Sequence, residues 1–331
     1  MVFSGLFLSS RAVRQARVNE VGGEGVRPSG TMGRVNPEDV TSFLPTVIAS
    51  HWPLTGVRVE DARAQDMTIL ADVSSDQGSW VATLVPTDGG DALFAGTLAT
   101  AEVGGSGVRV GAALTTTDGR TVVDVADGTL ALLAPVPGRP LTASPEDQAL
   151  AGEILARAHR AGIAGPDTES TFFTWLTPAD PGLQAEMWIA RAVADATIKY
   201  KDAEPSLTFG WLHCDPSPAD FRIDEDGTPG LTDWTGAEIG PLLYDVATFV
   251  SHLGRREDAE PFLDAYVAAG GVSREELETH LDALLVYRWA VRSAFWSFHI
   301  LTADPTGNER SAEDVEGLEH ARQELLALGV E

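Results

Sequence analysis

The stretch Gly210-Trp-Leu-His213-Cys-Asp215-Pro-Ser-Pro-Ala-Asp220-Phe-Arg-Ile223, followed by Leu231-Thr-Asp233-Trp234, carries the strongest signal in this 331-residue chain. Short apolar runs over 221–223 and 230–232 flank the turn sequence Asp224-Glu-Asp-Gly227, a pattern typical of a β-hairpin. A hairpin brings its two ends together. We therefore expect the carboxylates of Asp215, Asp220 and Asp233 to lie close to one another.

Grouped carboxylates of this kind suit phosphoryl transfer. One of them must orient the acceptor hydroxyl and accept its proton, while others hold Mg²⁺ against the donor phosphates. In this interpretation Asp215 is the base, and Asp220 and Asp233 are the metal ligands. The alternative interpretation is three surface carboxylates around an ordinary hairpin.

The spacing of these residues resembles the aminoglycoside phosphotransferase family, which is related to the protein kinases. The family pattern H-x-D-x-x-x-x-N, followed by a D-W or D-F pair, is similar to His213 through Asp220 and to Asp233-Trp234. The family's later G-x-x-x-Y-D segment is similar to Gly240-Pro-Leu-Leu-Tyr244-Asp245. Asp220 stands where the family usually has Asn, which keeps an oxygen ligand for Mg²⁺ and adds a negative charge. The resemblance also implies that His213 and Asp245 support the loop.

The resemblance implies an α+β, bilobal, protein-kinase-like fold, with a small β-rich N-terminal lobe and a larger, mainly α C-terminal lobe. Composition and periodicity predict a leader at 1–40, a β-rich segment at 41–134, a connector at 135–140 and a mainly α segment at 141–331. The resemblance implies that the β-rich segment is the small nucleotide-binding lobe and that the α segment is the large catalytic and acceptor-binding lobe. Strands are predicted at 57–59, 67–73, 79–85, 107–114, 121–125 and 130–133. Helices are predicted after Pro37 and at 91–102, 145–161, 184–200, 242–253, 258–269, 273–301 and 312–328.

The nucleotide site implied by the resemblance lacks one expected residue. In the family, the third strand carries a Lys that grips the donor phosphates, and Thr83 stands at that position here. The two lysines of the sequence, Lys199 and Lys201, lie far beyond it. Asp91 is the nearest candidate for the helix Glu that normally pairs with that Lys.

Arginine can replace lysine as a phosphate partner because its charge is permanent and its fork fits phosphate. Arg63 and Arg109 are the candidates, although a solvated surface role also fits each of them. The connector after Leu133, with Ala134 and Val136, is expected by resemblance to offer backbone groups to the nucleotide base. A plain Pro/Gly linker has the same composition.

The composition restricts the class of partner. A net charge of −26 argues against nucleic acid, because binding phosphate backbones requires clustered Lys and Arg. It is compatible with a cationic ligand, or with acidity that serves only solubility. Cys214 is the single cysteine, which excludes an internal disulfide. We expect a cytoplasmic protein with no membrane partner, since no apolar run approaches a membrane span.

Two residues are candidates for contact with the acceptor. Glu238 follows the metal-binding segment and could bind a cationic group, although an exposed loop carboxylate has the same sequence signature. Arg288 belongs to a helix that by analogy faces the acceptor cleft, but an aromatic stripe at this spacing is more typical of a core. The stripe comprises Tyr287, Arg288, Trp289, Arg292, Phe295, Trp296 and His299.

The function predicted from these features is Mg²⁺-dependent transfer of the γ-phosphoryl group of ATP or GTP to a hydroxyl of a small molecule. The acceptor would be an aminoglycoside-like antibiotic or a metabolite such as an amino alcohol or a sugar. The alternative is a degenerate kinase-like domain that binds a nucleotide or small ligand without catalysis. Thr83 supports the alternative, and the intact Asp215 argues against it.

Overall fold

The computed structural model of the protein describes residues 37–65, 68–126, 128–165, 168–172, 186–302 and 312–330. The predicted leader therefore lies, up to residue 36, outside the described residues. The N-terminal part contains helices α1 (Pro37–His51) and α2 (Gly90–Val103). Its strands are β1 (Arg58–Gln65), β2 (Thr68–Ser75), β3 (Gly78–Val85), β4 (Val123–Val125) and β5 (Gly128–Leu133).

The five strands form one antiparallel sheet in the order β1-β2-β3-β5-β4. Alternate residues of β2 and β3 point to opposite faces, because side chains in a strand have a period of two. One face packs against α1, whose Val40, Leu44 and Ile48 recur every four residues and are buried. The opposite face is left for the cleft described below.

The predicted strand at 107–114 is wrong. This segment forms only isolated bridges, at Arg109 to Gly230 and at Ala113 to Leu133. The backbone N–H of Arg109 donates to the Pro229 carbonyl at 2.9 Å, and the N–H of Leu231 donates to the Arg109 carbonyl at 2.9 Å. Val108 and Val110 are buried in the core of the helical part, whereas Leu114 packs against the core of the N-terminal sheet, so the segment ties the two parts together.

Strand β1 is longer than the prediction of 57–59. Its sequence, Arg58-Val-Glu-Asp-Ala-Arg-Ala-Gln65, is charged and has no apolar alternation to reveal it. It lies at the edge of the sheet, where charged side chains are common because they discourage pairing with other chains.

The C-terminal part is mainly helical. Its helices are α3 (Pro145–Ala161), α4 (Met187–Ala203), α5 (Leu243–Leu253), α6 (Glu260–Ala268), α7 (Arg274–Thr302) and α8 (Ala312–Ala327). Two small sheets lie beside them: β6 (Arg139–Pro140), β8 (Phe221–Ile223) and β9 (Pro229–Leu231), in the order β6-β8-β9, and the pair β7 (Phe209–Leu212) and β10 (Glu238–Pro241). The helix predicted from Gln184 begins at Met187, and residues 173–185 lie outside the described part of the chain.

Helix α3 is anchored at its start by a buried carboxylate. Ser144 caps the helix by accepting a hydrogen bond from the Asp147 N–H at 3.3 Å. The Asp147 carboxylate accepts two hydrogen bonds from Arg139, at 2.7 and 3.0 Å, and two from Thr142, both at 2.8 Å. The Arg139 hydrogen bonds hold the pKa of Asp147 well below its ordinary value, with Thr142 adding to the shift against the opposing effect of burial. Asp147 therefore connects β6 to α3.

Helix α2 packs directly on the segment that follows Asp233. A Cβ atom added at Gly96 would lie 2.4 Å from the Trp234 carbonyl oxygen, so the two backbones touch. The Gly236 N–H also donates to the Ala92 carbonyl at 3.2 Å. These backbone contacts hold α2 against the candidate site. They do not involve the lysine that the resemblance implies on β3.

Within the described residues, we find no helix that combines the length and apolarity needed to cross a membrane.

Replacing Asp147 by Asn should lower the free energy of unfolding at pH 7 by about 1–3 kcal/mol, because the charge-assisted hydrogen bonds of a buried group are weakened. The folded pKa lies below the unfolded value, so this stabilisation is present above about pH 4 and is lost as the pH falls further. Urea unfolding at several pH values measures it. As a control on the same helix, Glu153→Gln removes a half-exposed pair and should change stability by less than about 0.5 kcal/mol.

Replacing Gly96 by Ala should destabilise the protein by about 1–3 kcal/mol, since backbone must move to admit the methyl group. Ala is the better helix former, so equal or greater stability would contradict the close contact. Gly104→Ala is the matched control, because a Cβ there meets nothing within 4 Å. Thermal unfolding of the three proteins makes the comparison.

Candidate active site

A cleft of about 490 Å³ lies between the N-terminal sheet and the β8–β9 hairpin. The described residues that line it include five of those selected from the sequence. They are Thr83, Ala134 and Val136, predicted to contact the nucleotide, and Asp220 and Asp233, predicted to bind metal. The structure thus brings these five together, and the roles assigned to them stay predictions.

The predicted hairpin forms and sets the positions of the two lining carboxylates. Strands β8 and β9 pair antiparallel, with Phe221 opposite Leu231. In the turn, Asp224 accepts hydrogen bonds from the N–H groups of Asp226 at 3.0 Å and Thr228 at 2.7 Å. At the open end, the Thr232 N–H donates to the Asp220 carbonyl at 2.9 Å. Asp220 and Asp233 therefore leave the hairpin at the same end.

The carboxylates of Asp220 and Asp233 form an acidic pair. The hydrogen bonds that Asp220 receives from Ser217, at 2.6 and 2.8 Å, both end on Oδ2, which leaves Oδ1 for another ligand. Burial, together with the charges of Asp220 and Asp215, raises the pKa of Asp233 to about 6 against the opposing effect of His213. Two carboxylates that repel each other in a buried site are suited to a cation.

The two carboxylates suit Mg²⁺ better than they suit a metal ion that is bound by protein side chains alone. Within the described ranges, no group of three or more His, Cys, Asp or Glu side chains is arranged to hold a metal ion. Mg²⁺ is usually bound by one or two carboxylates together with substrate phosphates and water. The pair Asp220 and Asp233 meets this requirement.

Asp215 is held by two basic side chains from helices far along the chain. Its Oδ1 accepts a hydrogen bond from the guanidinium of Arg288 on α7, and the Nε2 of His252 on α5 lies 3.4 Å from the same oxygen. Burial opposes ionisation, but the charge of Arg288 and the hydrogen bond from His252 outweigh it and hold the pKa of Asp215 far below its ordinary value. The carboxylate is therefore ionised at neutral pH.

Arg288 lies in the core, the position that its aromatic helical stripe favours. Its side chain is fully buried between Asp215 and the Tyr244 hydroxyl, 3.4 Å away. A contact between Arg288 and substrate stays a prediction. The sequence analysis missed both Arg288 and His252 as partners of Asp215. One signal existed, since an arginine inside an aromatic helical stripe needs a buried anion.

Asp245 braces the loop before Asp215. Its fully buried carboxylate accepts hydrogen bonds from the backbone N–H groups of His213 at 2.7 Å and Cys214 at 2.8 Å. It also lies 3.0 Å from Nε2 of His159, whose Nδ1 contacts the Tyr266 hydroxyl at 2.8 Å. Cys214 has a φ of 74°, an unusual conformation for a residue with a side chain. The hydrogen bonds of Asp245 hold that conformation in place.

His213 links the loop to the metal segment. Its Nε2 lies 2.6 Å from the Thr232 carbonyl, which can only accept, so Nε2 carries the proton. Its ring packs edge-on against Trp234, with ring centroids 5.2 Å apart. Asp233 lies between these two contacts, at a φ of 62°. These contacts join the loop of His213 to the segment of Asp233, and the supporting role of His213 stays a prediction.

Glu238 is buried on β10, opposite Leu212 of β7. Its charge helps to raise the pKa of the Cys214 thiol, after the larger effect of burial. Glu238 therefore lies near the loop that carries Asp215, and contact with a cationic acceptor stays a prediction.

The comparisons with known proteins agree with this geometry. The model of the phosphotransferase enzyme family matches residues 73–282. A relative from Deinococcus radiodurans, an uncharacterised protein, is 30% identical over 200 residues. That match covers 54% of this chain and 58% of the relative, so the chain spans little more than half the length of its curated relative.

Solved structures share the fold. A microcompartment-associated aminopropanol kinase superposes with a TM-score of 0.65 at 16% identity, covering 88% of this chain and 99% of that protein. Amicoumacin kinase, in complex with AMP-PNP, Ca²⁺ and Ami, gives 0.61 at 12% identity, covering 86% of this chain and 92% of that protein. A spectinomycin phosphotransferase, in complex with ADP and spectinomycin, gives 0.57 at 10% identity, covering 90% and 100%.

These matches confirm the kinase-like α+β fold, with a β-rich N-terminal part and a mainly helical C-terminal part. The family model covers well over half of the sequence and includes every residue of the hairpin and its acidic pair. The chain therefore belongs to the phosphotransferase enzyme family, the family and enzyme class that its sequence predicts.

Proposed function

We propose that this protein transfers the γ-phosphoryl group of ATP or GTP to a hydroxyl group of a small molecule, in a reaction that depends on Mg²⁺. The observation that carries the proposal is the acidic pair of Asp220 and Asp233 in the wall of the cleft, with an ionised Asp215 close enough for its charge to help raise the pKa of Asp233. Membership in the phosphotransferase family supports it.

Asp215 orients the acceptor. Its low pKa makes it a weak base, and a strong base is not needed, because the attacking oxygen carries little negative charge in a loose phosphoryl-transfer transition state. The carboxylate accepts a hydrogen bond from the acceptor hydroxyl and takes its proton as the new P–O bond forms. Arg288 keeps the carboxylate ionised and fixes its direction.

Asp220 and Asp233 would hold Mg²⁺, which when bound neutralises charge on the donor phosphates. The hairpin fixes where these two carboxylates leave the backbone, and Ser217 fixes the rotamer of Asp220. The metal site is therefore organised before the nucleotide binds, which lowers the entropic cost of assembling it.

The acceptor is an aminoglycoside-like antibiotic or a metabolite such as an amino alcohol or a sugar, in all cases with a hydroxyl group. A net charge of −26 and the buried carboxylate of Glu238 favour a cationic one. Structures of the same fold belong to an aminopropanol kinase and a spectinomycin phosphotransferase, and both substrates named there contain amines and hydroxyls.

A second candidate is a domain that binds nucleotide without transferring phosphate. The observation that favours it is Thr83, which is buried in the cleft wall where a phosphate-binding lysine is expected by resemblance. The network around Asp215, which places an arginine and a histidine on one carboxylate, favours catalysis.

Two substitutions should distinguish nucleotide binding from phosphoryl transfer. Asp233→Asn should abolish the Mg²⁺-dependent part of the thermal stabilisation by ATP or GTP, because a metal ligand is lost. Asp215→Asn should keep that stabilisation but lower the rate of transfer to a hydroxyl-bearing library by about 10²–10⁴-fold, the range for a general base. Differential scanning fluorimetry and transfer from a labelled donor measure the two effects.

Glu225→Gln, in the exposed hairpin turn, is the control and should match the wild type in both assays. Equal transfer by the wild type and by Asp215→Asn would remove Asp215 from the mechanism. Nucleotide binding with no transfer by the wild type, to any compound in the library, would favour the second candidate.

Arg288→Met should move the acid limb of the pH dependence of kcat/KM to higher pH. Removing the positive charge raises the pKa of Asp215, so the carboxylate becomes protonated at a pH where the wild type is ionised. The variant should also be less stable, by about 3–5 kcal/mol, because the buried partner is left unpaired. Rates measured from pH 5 to pH 9, below the melting temperature of each protein, give the profile.

Arg288→Lys keeps the charge and should leave the acid limb close to that of the wild type. Arg292→Met removes a weaker electrostatic contribution to Asp215 and should shift it less than Arg288→Met does. Because the pKa of Asp233, about 6, lies in the same range, the profile is compared with that of the wild type, and an unmoved acid limb together with an unchanged plateau rate would contradict the dependence of Asp215 on Arg288.

A further inference from the structure

A nucleoside triphosphate brings negative charge into the cleft, and Mg²⁺ on two carboxylates does not neutralise all of it. Among the described residues that line the cleft, two are cationic, Arg63 and Arg222. Both lysines of the sequence lie on α4, away from the lining. The question is which arginine meets the phosphates.

A β-bulge places Arg63 in the cleft. Strand β1 pairs with β2 as Glu60 to Asp72, but after the bulge the register shifts by one residue, and Arg63 lies opposite Leu70. Without the extra residue, Arg63 would lie opposite Ile69, which points into the core beneath α1. Because side chains alternate between faces, the bulge turns Arg63 from the core face to the cleft face. Asp61, at a φ of 48°, lies within this bulge.

The shifted register aligns Arg63 with Thr83, the position at which the resemblance implies a lysine. Leu70, the partner of Arg63, is in turn the partner of Thr83 on β3, so the three residues form one row across the sheet. All three line the cleft. Neighbouring strands are about 4.8 Å apart, so Arg63 starts roughly 10 Å from Thr83 with its long side chain on the same face. The guanidinium of Arg63, on the edge strand, can therefore place a positive charge in the part of the cleft beside the uncharged Thr83.

The present partner of Arg63 does not hold it firmly. Its Nη1 lies 3.4 Å from both carboxylate oxygens of Asp72 and 3.4 Å from the exposed Asp61 carbonyl, and the side chains of Arg63 and Asp72 are 51% and 53% exposed. An exposed pair at this distance contributes little, so a phosphate oxygen can replace Asp72.

Arg222 lies at another part of the cleft. A Cβ added at Gly230 would lie 2.4 Å from the Val136 side chain and 3.3 Å from Arg222 Cβ, so these residues converge beside the connector. The connector is the segment expected to meet the nucleotide base. Arg222 is therefore closer to the base end of the cleft than to the row of Thr83.

The geometry points to Arg63 as the residue that binds the donor α- and β-phosphates, in place of the lysine that Thr83 replaces. This inference rests on the proposed function, since it requires that a nucleoside triphosphate binds in the cleft. In this inference the bulge in edge strand β1 turns Arg63 into the cleft, and the positive charge of Arg63 compensates for the neutral Thr83 on β3.

Isothermal titration calorimetry with ATP and with adenosine, both in Mg²⁺, tests the inference on the full-length protein without any acceptor. Arg63→Gln should weaken ATP binding by about 10- to 100-fold, the range for loss of a charge-assisted hydrogen bond, and leave adenosine binding within about twofold of the wild type. Arg58→Gln, on the exposed part of the same strand before the bulge, removes the same charge and should alter neither affinity.

Arg222→Gln distinguishes the role of Arg222 from that of Arg63. Because Arg222 lies at the base end of the cleft, any effect of this substitution should change ATP and adenosine binding together. The inference is overturned if Arg63→Gln binds ATP as tightly as the wild type, if Arg58→Gln weakens ATP equally, or if Arg222→Gln alone causes a loss confined to ATP. If the wild type binds no ATP, the same titrations are made with GTP and guanosine; absence of binding of both ATP and GTP would instead overturn the proposed function, so the two failures are distinguishable.

Discussion

The site depends on the hydrogen bonds that the buried carboxylate of Asp245 accepts. This carboxylate accepts hydrogen bonds from the N–H groups of residues 213 and 214 and thereby holds Cys214 at a positive φ. That conformation directs the next residue, Asp215, towards α5 and α7. From the same loop, His213 reaches Thr232, next to the positive-φ Asp233. One carboxylate therefore sets the positions of the two backbone segments that carry the acidic groups.

Electrostatics divides these carboxylates into two kinds. Asp215 is compensated by Arg288 and His252, so it is ionised and fixed in direction without any ligand. Asp220 and Asp233 face each other's charge, and burial raises the pKa of Asp233 to about 6. The first arrangement suits contact with a hydroxyl group, and the second suits a cation. Residues of the same type thus acquire different roles from their neighbours.

The parts of the site that sequence could predict are those set by local spacing. Asp220 and Asp233 are joined by a short hairpin, so the turn signal alone brings them together. The partners of Asp215 could not be located in this way, because Arg288 is 73 residues away and meets it only through helix packing. The segment at 107–114 has strand-like composition, but Val108 and Val110 pack in the helical core and only Leu114 packs against the core of the N-terminal sheet. The bulge in β1, and with it the direction of Arg63, has no clear sequence signal.

The central claim is that Asp220 and Asp233 together grip magnesium beside a transferable phosphate. A crystal structure with Mg²⁺ and a non-hydrolysable ATP analogue tests it most directly. We predict a metal ion with oxygens of both carboxylates at about 2.0–2.1 Å, bridging to the phosphates of a nucleotide in the cleft. A metal ion bound elsewhere, or a nucleotide whose phosphates lie away from both residues, would contradict the account.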